Sequence, residues 1–135
     1  MKTYGELKTY STLQLIELAY SIENDDEYWS LIGEIHGRGG EVEFNFSKML
    51  CESDDPIKRT IGADILGQLG WEKRTFQEES VNILINLLKD QNHDVIASAA
   101  FSLGHRNDAR AIPILVKLIN HQNNRTRLGV TFGLS

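Results

Sequence analysis

The chain has 135 residues, of which 41% are hydrophobic and 24% charged, a composition that supports a folded core and excludes a disordered chain. No apolar run approaches the roughly 18 to 20 residues of a membrane span, and no apolar segment follows the first lysine as in a secretory signal. A single cysteine, Cys51, cannot form an internal disulfide, so we expect a cytoplasmic protein without a membrane partner.

Charge is distributed unevenly along the chain. The net charge is −5, but the first 56 residues carry 12 acids and 4 bases, a net of −8, whereas the remaining residues carry 7 acids and 10 bases, a net of +3. A nucleic-acid-binding surface usually clusters its bases on one face, and these ten are scattered. We therefore expect no nucleic-acid partner.

Helix signals recur along the chain, beginning with Ser11, which forms a capping-box sequence with Gln14. Four later segments of 13 residues share one pattern: each begins at a residue type that caps helix N termini, and the first three end at a glycine that can stop a helix. These segments are Asp25–Gly37, Asp55–Gly67, Asn92–Gly104 and Asn123–Ser135. Small residues near their centres would allow close helix packing, so we predict that Gly62, Ala63, Ala99 and Ala100 are buried between helices.

A second apolar helix precedes each of the last three segments. Val81–Leu88 aligns without gaps on Ile112–Ile119, and more distantly both align on Phe44–Cys51. Thr75 and Glu78 have the spacing of a capping box that opens the helix containing Val81. The sequence thus predicts four helix pairs in one domain, a weak first repeat at about 11–37 followed by repeats at about 41–67, 75–104 and 108–135.

The fourth pair, Asn107–Ile119 followed by Asn123–Ser135, resembles the HEAT-like repeat first named from phycobilisome bilin lyases, and Asp55–Gly67 is similar to the second helix of that repeat. The chain also resembles bacterial HEAT-repeat proteins encoded beside polymorphic toxin loci, some of them immunity proteins. The resemblance implies an all-α superhelix of the HEAT/armadillo-like solenoid class. The arginine usual at the fifth position of the segment is present as Arg59 and Arg127, and in the family it commonly pairs with an acid of a neighbouring repeat.

The candidate binding surface is the face of the second helices that points away from the repeat core, which in this fold class is concave and binds partners. Its predicted residues, together with one tryptophan from the segment after Leu69, are Glu34, Asp64, Ala97, Phe101, Leu128, Phe132 and Trp71. Two alternatives stay open at this point. Phe101 and Phe132 either contact a partner or stack on each other between repeats, and Trp71 and Phe76 either pack over a helix end or project as a binding prong.

Nothing in the sequence converges as a catalytic, metal or cofactor site. His36, His93, His105 and His121 lack the spacing of a zinc site, and Cys51 falls in a core stripe where we expect a buried thiol. We therefore expect no catalytic residue, no metal and no cofactor.

The functional hypothesis is a non-catalytic module, an adaptor or an inhibitor of the immunity type, that binds another protein through its concave face. One alternative is a bilin-lyase-like enzyme subunit, which would need a partner chain and a pocket lined by Arg and Asp. A second is a DNA-repair solenoid of the HEAT-like glycosylase kind, which Glu34 and Asp64 disfavour because it needs a basic concave face.

The last repeat carries no polar closing helix, whereas solenoids need a capping repeat with a polar outer face. We expect Leu118, Val130 or Leu134 to lack cover there. Either the chain is the N-terminal part of a longer solenoid, or something else covers that end. We expect self-association through residues 109–135, or disorder near Ser135, or both, and for self-association a two-fold dimer is favoured because it closes.

Overall fold

The computed structural model describes residues 4–135 of the chain, and these form helices without any strand. The helices are α1 (Tyr4–Leu7), α2 (Thr12–Ser21), α3 (Asp25–Arg38), α4 (Glu41–Cys51), α5 (Pro56–Gly67), α6 (Gln77–Leu87), α7 (His93–Arg106), α8 (Ile112–Lys117) and α9 (Asn124–Leu134), with short 3-10 turns at Trp71–Lys73 and Ala109–Ala111. The predicted all-α class is confirmed. Within these residues no helix has the length and apolar character of a membrane span.

Four helix pairs build the stack: α2 with α3, α4 with α5, α6 with α7, and α8 with α9. We call α2, α4, α6 and α8 the first helices and α3, α5, α7 and α9 the second helices. The second helices α5, α7 and α9 pack side by side, each along its neighbour. One continuous core of Leu, Ile, Val and Ala side chains runs through all four pairs.

Small residues set the spacing between helices, as predicted for Gly62, Ala63, Ala99 and Ala100, all of which are buried. A Cβ atom at Gly62 would lie 2.7 Å from the Cys51 sulfur and 2.8 Å from the Ser47 carbonyl oxygen, so α4 and α5 are in backbone contact there. Any larger side chain at that position would push the two helices apart.

The helix caps agree with the sequence except at α3 and α6. Ser11 forms its capping box with Gln14, and the side chains of Asp55, Asn92 and Asn123 cap α5, α7 and α9. The cap of α3 is Asn24, however, and not Asp25. Because Asn24 is therefore the structural equivalent of Asp55, the first segment was aligned one residue too late.

Two glycines expected to stop helices do not do so. Gly37 and Gly104 lie inside α3 and α7, which end at Arg38 and Arg106, and the left-handed residues that follow are Gly39 (φ 58°) and Asn107 (φ 52°). Glycine at 104 instead admits a neighbour, because a Cβ there would lie 2.6 Å from the ring of Phe132.

The long loop between α5 and α6 also differs from the prediction. Thr75 does not cap α6; its hydroxyl donates to the Gly39 carbonyl (3.0 Å) and so ties the loop to the end of α3. Phe76, in the left-handed region, precedes α6 and stacks on Phe44 with ring centroids 4.5 Å apart. Thr75 and Phe76 thus dock the loop on the helices around it.

A fully buried arginine holds the same loop from the other side. The Arg106 guanidinium, at the end of α7, donates to the carbonyls of Leu66 (2.8 Å) and Thr75 (3.0 Å), to the Gln77 side chain (3.0 Å) and to the Ser80 hydroxyl (3.1 Å). Each of these acceptors belongs to α5, the loop or α6. Arg106 therefore joins the second and third pairs through hydrogen bonds without a carboxylate.

The expectation for the C-terminal pair is wrong, because all three of the apolar residues expected to lack cover pack in or against the core. Val130 is fully buried, because α9 presents it to the core, whereas Leu118 and Leu134 are half-buried. The most exposed apolar side chains of this pair lie elsewhere on α8 and α9.

Candidate functional site

A cleft of about 260 Å³ crosses the first turns of all four second helices. We call it the second-helix groove. Its lining residues are Ile22, Asp25, Tyr28, Trp29, Ile57, Thr60, Ile61, Asp64, Asp94 and Arg125. The stack brings them together from α3, α5, α7 and α9 and from the turn before α3, so the groove exists only when the four pairs are assembled.

The floor of the groove is a buried polar cluster around Asp64, which is only 7% exposed. The Tyr28 hydroxyl donates to the Asp64 carboxylate at 2.6 Å, and Ser98 bonds the same carboxylate. Burial raises the pKa of Asp64 to about 6, against the lowering effect of these hydrogen bonds and of the Arg125 charge. Burial and the neighbouring carboxylate likewise raise the pKa of Tyr28, which therefore stays protonated and donating.

The rim of the groove is apolar on one side and charged on the other. Trp29 is 47% exposed and stands edge-on to the Tyr28 ring at 5.2 Å, and Ile57 on α5 is 53% exposed. Across the groove, Asp94 on α7 lies 3.8 Å from Arg125 on α9. Large apolar side chains beside a few fixed polar groups are what a protein-binding surface offers.

Trp71 extends this surface along α3. Its ring lies over Gly33 and Gly37 and meets the His36 ring edge-on at 5.5 Å, yet Trp71 is still 51% exposed. Residues four apart lie on one face of a helix, so Trp29, Gly33 and Gly37 form one stripe. Trp71 is therefore both packed over a helix end and exposed, and it shares a face of α3 with Trp29.

Three predicted binding residues are not exposed as expected. Glu34 is buried and bonds Arg38 at 3.0 Å, and that arginine in turn holds the carbonyls of Leu7 and Tyr10. Ala97 is fully buried beneath α9, and Asp64 forms the groove floor. The expected row of exposed acids is wrong, because Glu34 is not at the position equivalent to Asp64 and the neighbouring helices cover the rest.

For Phe101 and Phe132, the structure agrees with the alternative in which the two rings contact each other between repeats. Phe101 and Phe132 contact each other with ring centroids 5.5 Å apart, and the His105 ring lies 4.9 Å from that of Phe132. Phe101 is half-buried and Phe132 is 37% exposed. Leu128, one turn earlier on α9, is 63% exposed. These side chains lie away from the groove lining.

Of the ten residues that line the groove, only Asp64 was among the predicted binding residues. The nine that were missed include Tyr28, Trp29, Ile57 and Arg125. Ile57 and Arg125 occupy the same position, two residues after the cap, in the second and fourth segments. That position lies on the face that points away from the repeat core, but no residue at it was named among the predicted binding residues. With Asn24 as the cap of α3, Trp29 lies five residues after its cap, as the predicted binding residues Ala97 and Leu128 do in α7 and α9.

Two other titratable side chains, His36 and Cys51, are buried in the core. The His36 ring donates to the Asp64 carbonyl at 2.8 Å, and burial lowers its pKa to about 4. Cys51 is buried as predicted, and burial raises the pKa of its thiol to about 12. In the part of the chain that the structure describes, no three His, Cys, Asp or Glu side chains are grouped as metal ligands would be.

Comparison with known protein families shows to which family the chain belongs. A sequence profile described as HEAT repeats matches residues 45–135, which is more than half of the chain, and the protein belongs to the HEAT-repeat family. No curated protein sequence gave a match.

Among solved structures, the chain is similar to the X-ray structure of YibA from Escherichia coli. The TM-score is 0.79 at 25% sequence identity, and the match covers 97% of this chain and 50% of YibA. The chain therefore spans half the length of that relative.

Proposed function

We propose that this protein is a non-catalytic binding module, an adaptor or an inhibitor, that holds a segment of another protein in the second-helix groove. The observation that carries the proposal is the pairing of two exposed apolar side chains, Trp29 and Ile57, with a buried and fully hydrogen-bonded floor. Exposed tryptophan beside a rigid polar floor is the composition of an interface hot spot.

The charges of the groove favour a protein over a nucleic acid. Asp25, Asp64 and Asp94 line it against one base, Arg125, and a phosphate backbone would meet a net negative surface. The tie between Tyr28 and Asp64 also fixes the floor before any partner arrives, which lowers the ordering cost of binding.

The test is capture of a partner from a lysate of the producing organism, followed by mass spectrometry, with matched variants of the bait. Trp29→Ala and Ile57→Ser should each weaken retention of that partner at least about tenfold, as truncation of a hot-spot residue does. Met49→Ser is the control, since Met49 is 66% exposed on the first helix α4 and lies outside the groove.

Circular dichroism should show that all three variants keep their helices. Equal retention by wild type, Trp29→Ala and Ile57→Ser would remove the groove as the binding site. Loss with Met49→Ser alone would place the contact on the first helices instead.

A further inference from the structure

The size and the apolar side of the second-helix groove suit one long side chain of a partner. Its volume of about 260 Å³ is below the roughly 300 to 1,000 Å³ of sites that hold small molecules or cofactors. Ile22 and Ile57 line it beside Trp29, and apolar groups of this kind cover the methylene stem of a long polar side chain. The charges around the groove then decide which polar tip fits.

These charges are predominantly negative. Asp25, Asp64 and Asp94 line the groove, and among the described lining residues Arg125 is the only base. Lys58 does not restore the balance, because its ammonium lies over the Tyr20 ring, 5.9 Å from the ring centroid, and not in the lining. A cationic tip is therefore complementary to the groove.

The two outer carboxylates can accept bonds from a ligand. Asp25 forms no ion pair within the described residues. The Asp94 carboxylate lies 3.8 Å from the Arg125 Nε, which is too long for a hydrogen bond, and both side chains are more than half exposed. An exposed pair of this kind contributes little to stability, so a ligand can replace Arg125 at small cost.

The helix ends at the groove do not provide a free anion site. N termini carry a partial positive charge, but here each of the four second helices has a side chain whose oxygen accepts from backbone N–H groups of its first turn. These capping residues are Asn24, Asp55, Asn92 and Asn123. An anionic ligand would compete with the capping oxygens and would also meet the carboxylates.

Asp64 adds charge from below without being the direct contact. Its carboxylate is buried and already bonded by Tyr28 and Ser98. Because burial raises its pKa only to about 6, Asp64 is mostly ionised at neutral pH. It therefore makes the floor negative, while the rim residues remain for contact with a partner.

Trp29 offers the surface on which a planar cation can stack. The side chain is 47% exposed, and the Tyr28 ring supports it edge-on at 5.2 Å. Tryptophan is the aromatic side chain that attracts cations most strongly, and a guanidinium can stack flat on it while its N–H groups bond carboxylates. Asp25 lies four residues before Trp29, on the same face of α3, so a cation on the ring would be beside that carboxylate.

We propose that the second-helix groove binds an arginine side chain of the partner segment, stacked on Trp29 with its guanidinium between the carboxylates of Asp25 and Asp94. Arg125 is then an internal competitor that the incoming arginine displaces from Asp94. The inference rests on the proposed function, because it names the chemistry that the partner presents to the groove.

A pair of peptides tests the inference on the full chain. Acetyl-Leu-Arg-Leu-amide is compared with the peptide that carries citrulline, whose neutral urea keeps the shape of arginine but not its charge. In the ¹⁵N-labelled protein the indole N–H signal of Trp29 should move saturably at millimolar peptide or below. That of Trp71, which is outside the lining, should stay in place. Citrulline should weaken binding at least about fivefold, as loss of a cation from an aromatic face and its carboxylates does.

Variants identify the groups that hold the arginine peptide. Asp25→Asn and Asp94→Asn should each weaken its binding about two- to fivefold, as loss of a partly exposed ion pair does. Asp26→Asn is the matched control, because Asp26 is an exposed acid of the same turn and does not line the groove. Arg125→Gln should tighten binding about twofold or more, since it frees Asp94 from its weak partner. Circular dichroism checks that each variant keeps its helices.

Three results would overturn the inference. They are equal binding of the arginine and citrulline peptides, a Trp29 signal that does not move, and weaker binding after Arg125→Gln.

The captured partner separates this inference from the proposed function. A partner that is lost with Trp29→Ala and Ile57→Ser but kept by the Asp25→Asn, Asp94→Asn double variant would leave the groove as the binding site and remove the arginine. A partner kept by all of these variants would remove the groove as well.

Discussion

His36 and Asp64 place two buried titratable groups in one contact, the histidine ring donating to the Asp64 backbone carbonyl at 2.8 Å. Burial shifts them in opposite directions, raising the pKa of Asp64 to about 6 and lowering that of His36 to about 4. Burial penalises the charged form of each, so the folded chain favours the neutral acid and the neutral base.

The two shifts have opposite effects on stability. Asp64 binds its proton more tightly in the folded chain, so its contribution falls as the pH rises from about 4 to about 6. His36 binds its proton less tightly in the folded chain, so its contribution falls as the pH drops from about 6.5 to about 4. Each pKa shift corresponds to roughly 3 kcal/mol of stability. In the wild type the two pH dependences have opposite signs and largely cancel.

Single substitutions should separate the two effects. Relative to wild type, Asp64→Asn should make the free energy of unfolding drop by a few kcal/mol on acidification from pH 6.5 to 4.5, since only His36 then titrates. His36→Gln should do the reverse over the same range. Urea unfolding at pH 4.5, 5.5, 6.5 and 7.5 measures both, with the exposed His93→Gln as control. Parallel profiles for all four proteins would contradict the assignment.

The helices α4 and α5 approach each other closely at Gly62. A methyl group there would meet the Cys51 sulfur at 2.7 Å, the Ser47 carbonyl at 2.8 Å and the Cys51 nitrogen at 3.0 Å, and two of these are backbone atoms that cannot turn aside. The helix propensity of alanine would favour the substitution by roughly 1 kcal/mol, but the clash outweighs that gain.

Gly62→Ala should therefore lower the free energy of unfolding by about 1 to 3 kcal/mol, the usual cost of overpacking. Gly5→Ala is the matched control, because nothing lies within 4 Å of a Cβ at Gly5 in α1, and it should be neutral or slightly stabilising. Denaturant titrations of both variants measure the two changes in the free energy of unfolding. Similar midpoints for the two would mean that α4 and α5 are farther apart than described.

Local signals explain which elements could be predicted from the sequence. Ser11, Asp55, Asn92 and Asn123 cap helices through their own side chains, so the residue type alone indicates the start of each helix. The prediction failed where contacts distant in sequence decide. Gly104 makes room for Phe132 of another helix, and the Thr75 hydroxyl bonds Gly39 of α3 and does not cap α6.

The groove was only partly predictable for the same reason. Asp64 was identified, but its burial depends on Tyr28, 36 positions away, and on Ser98 of the next repeat. Asn24 and Asp25 are both good capping residues, and choosing the second moved every position of α3 by one. That single step excluded Trp29 from the predicted row and put Glu34, which pairs with Arg38, in it.

In the whole molecule, the contacts between neighbouring helix pairs are not equally extensive. α5 meets α4 and α7 through glycines that bring backbones into contact, and α7 meets α5 and α9 along much of its length. α3 meets α5 less extensively, and side-chain hydrogen bonds to Asp64 account for part of that contact. In a solenoid each pair contacts only its neighbours, so stability is close to a sum over interfaces.

The first pair should therefore open before the rest of the stack. We expect the amides of α2 and α3 to exchange through a partial opening of lower free energy than those of α5 and α7, which should exchange only on global unfolding. Trp29 lies in α3 and Trp71 packs on it, so tryptophan fluorescence in urea should change at lower concentration than the helical signal at 222 nm. The two tryptophans report the interface between the first pair and the rest of the stack, whereas the helical signal averages over all pairs. Coincident transitions, with α3 amides as protected as those of α7, would show that the polar contacts at Asp64 couple the first pair to the stack as strongly as backbone packing couples the others.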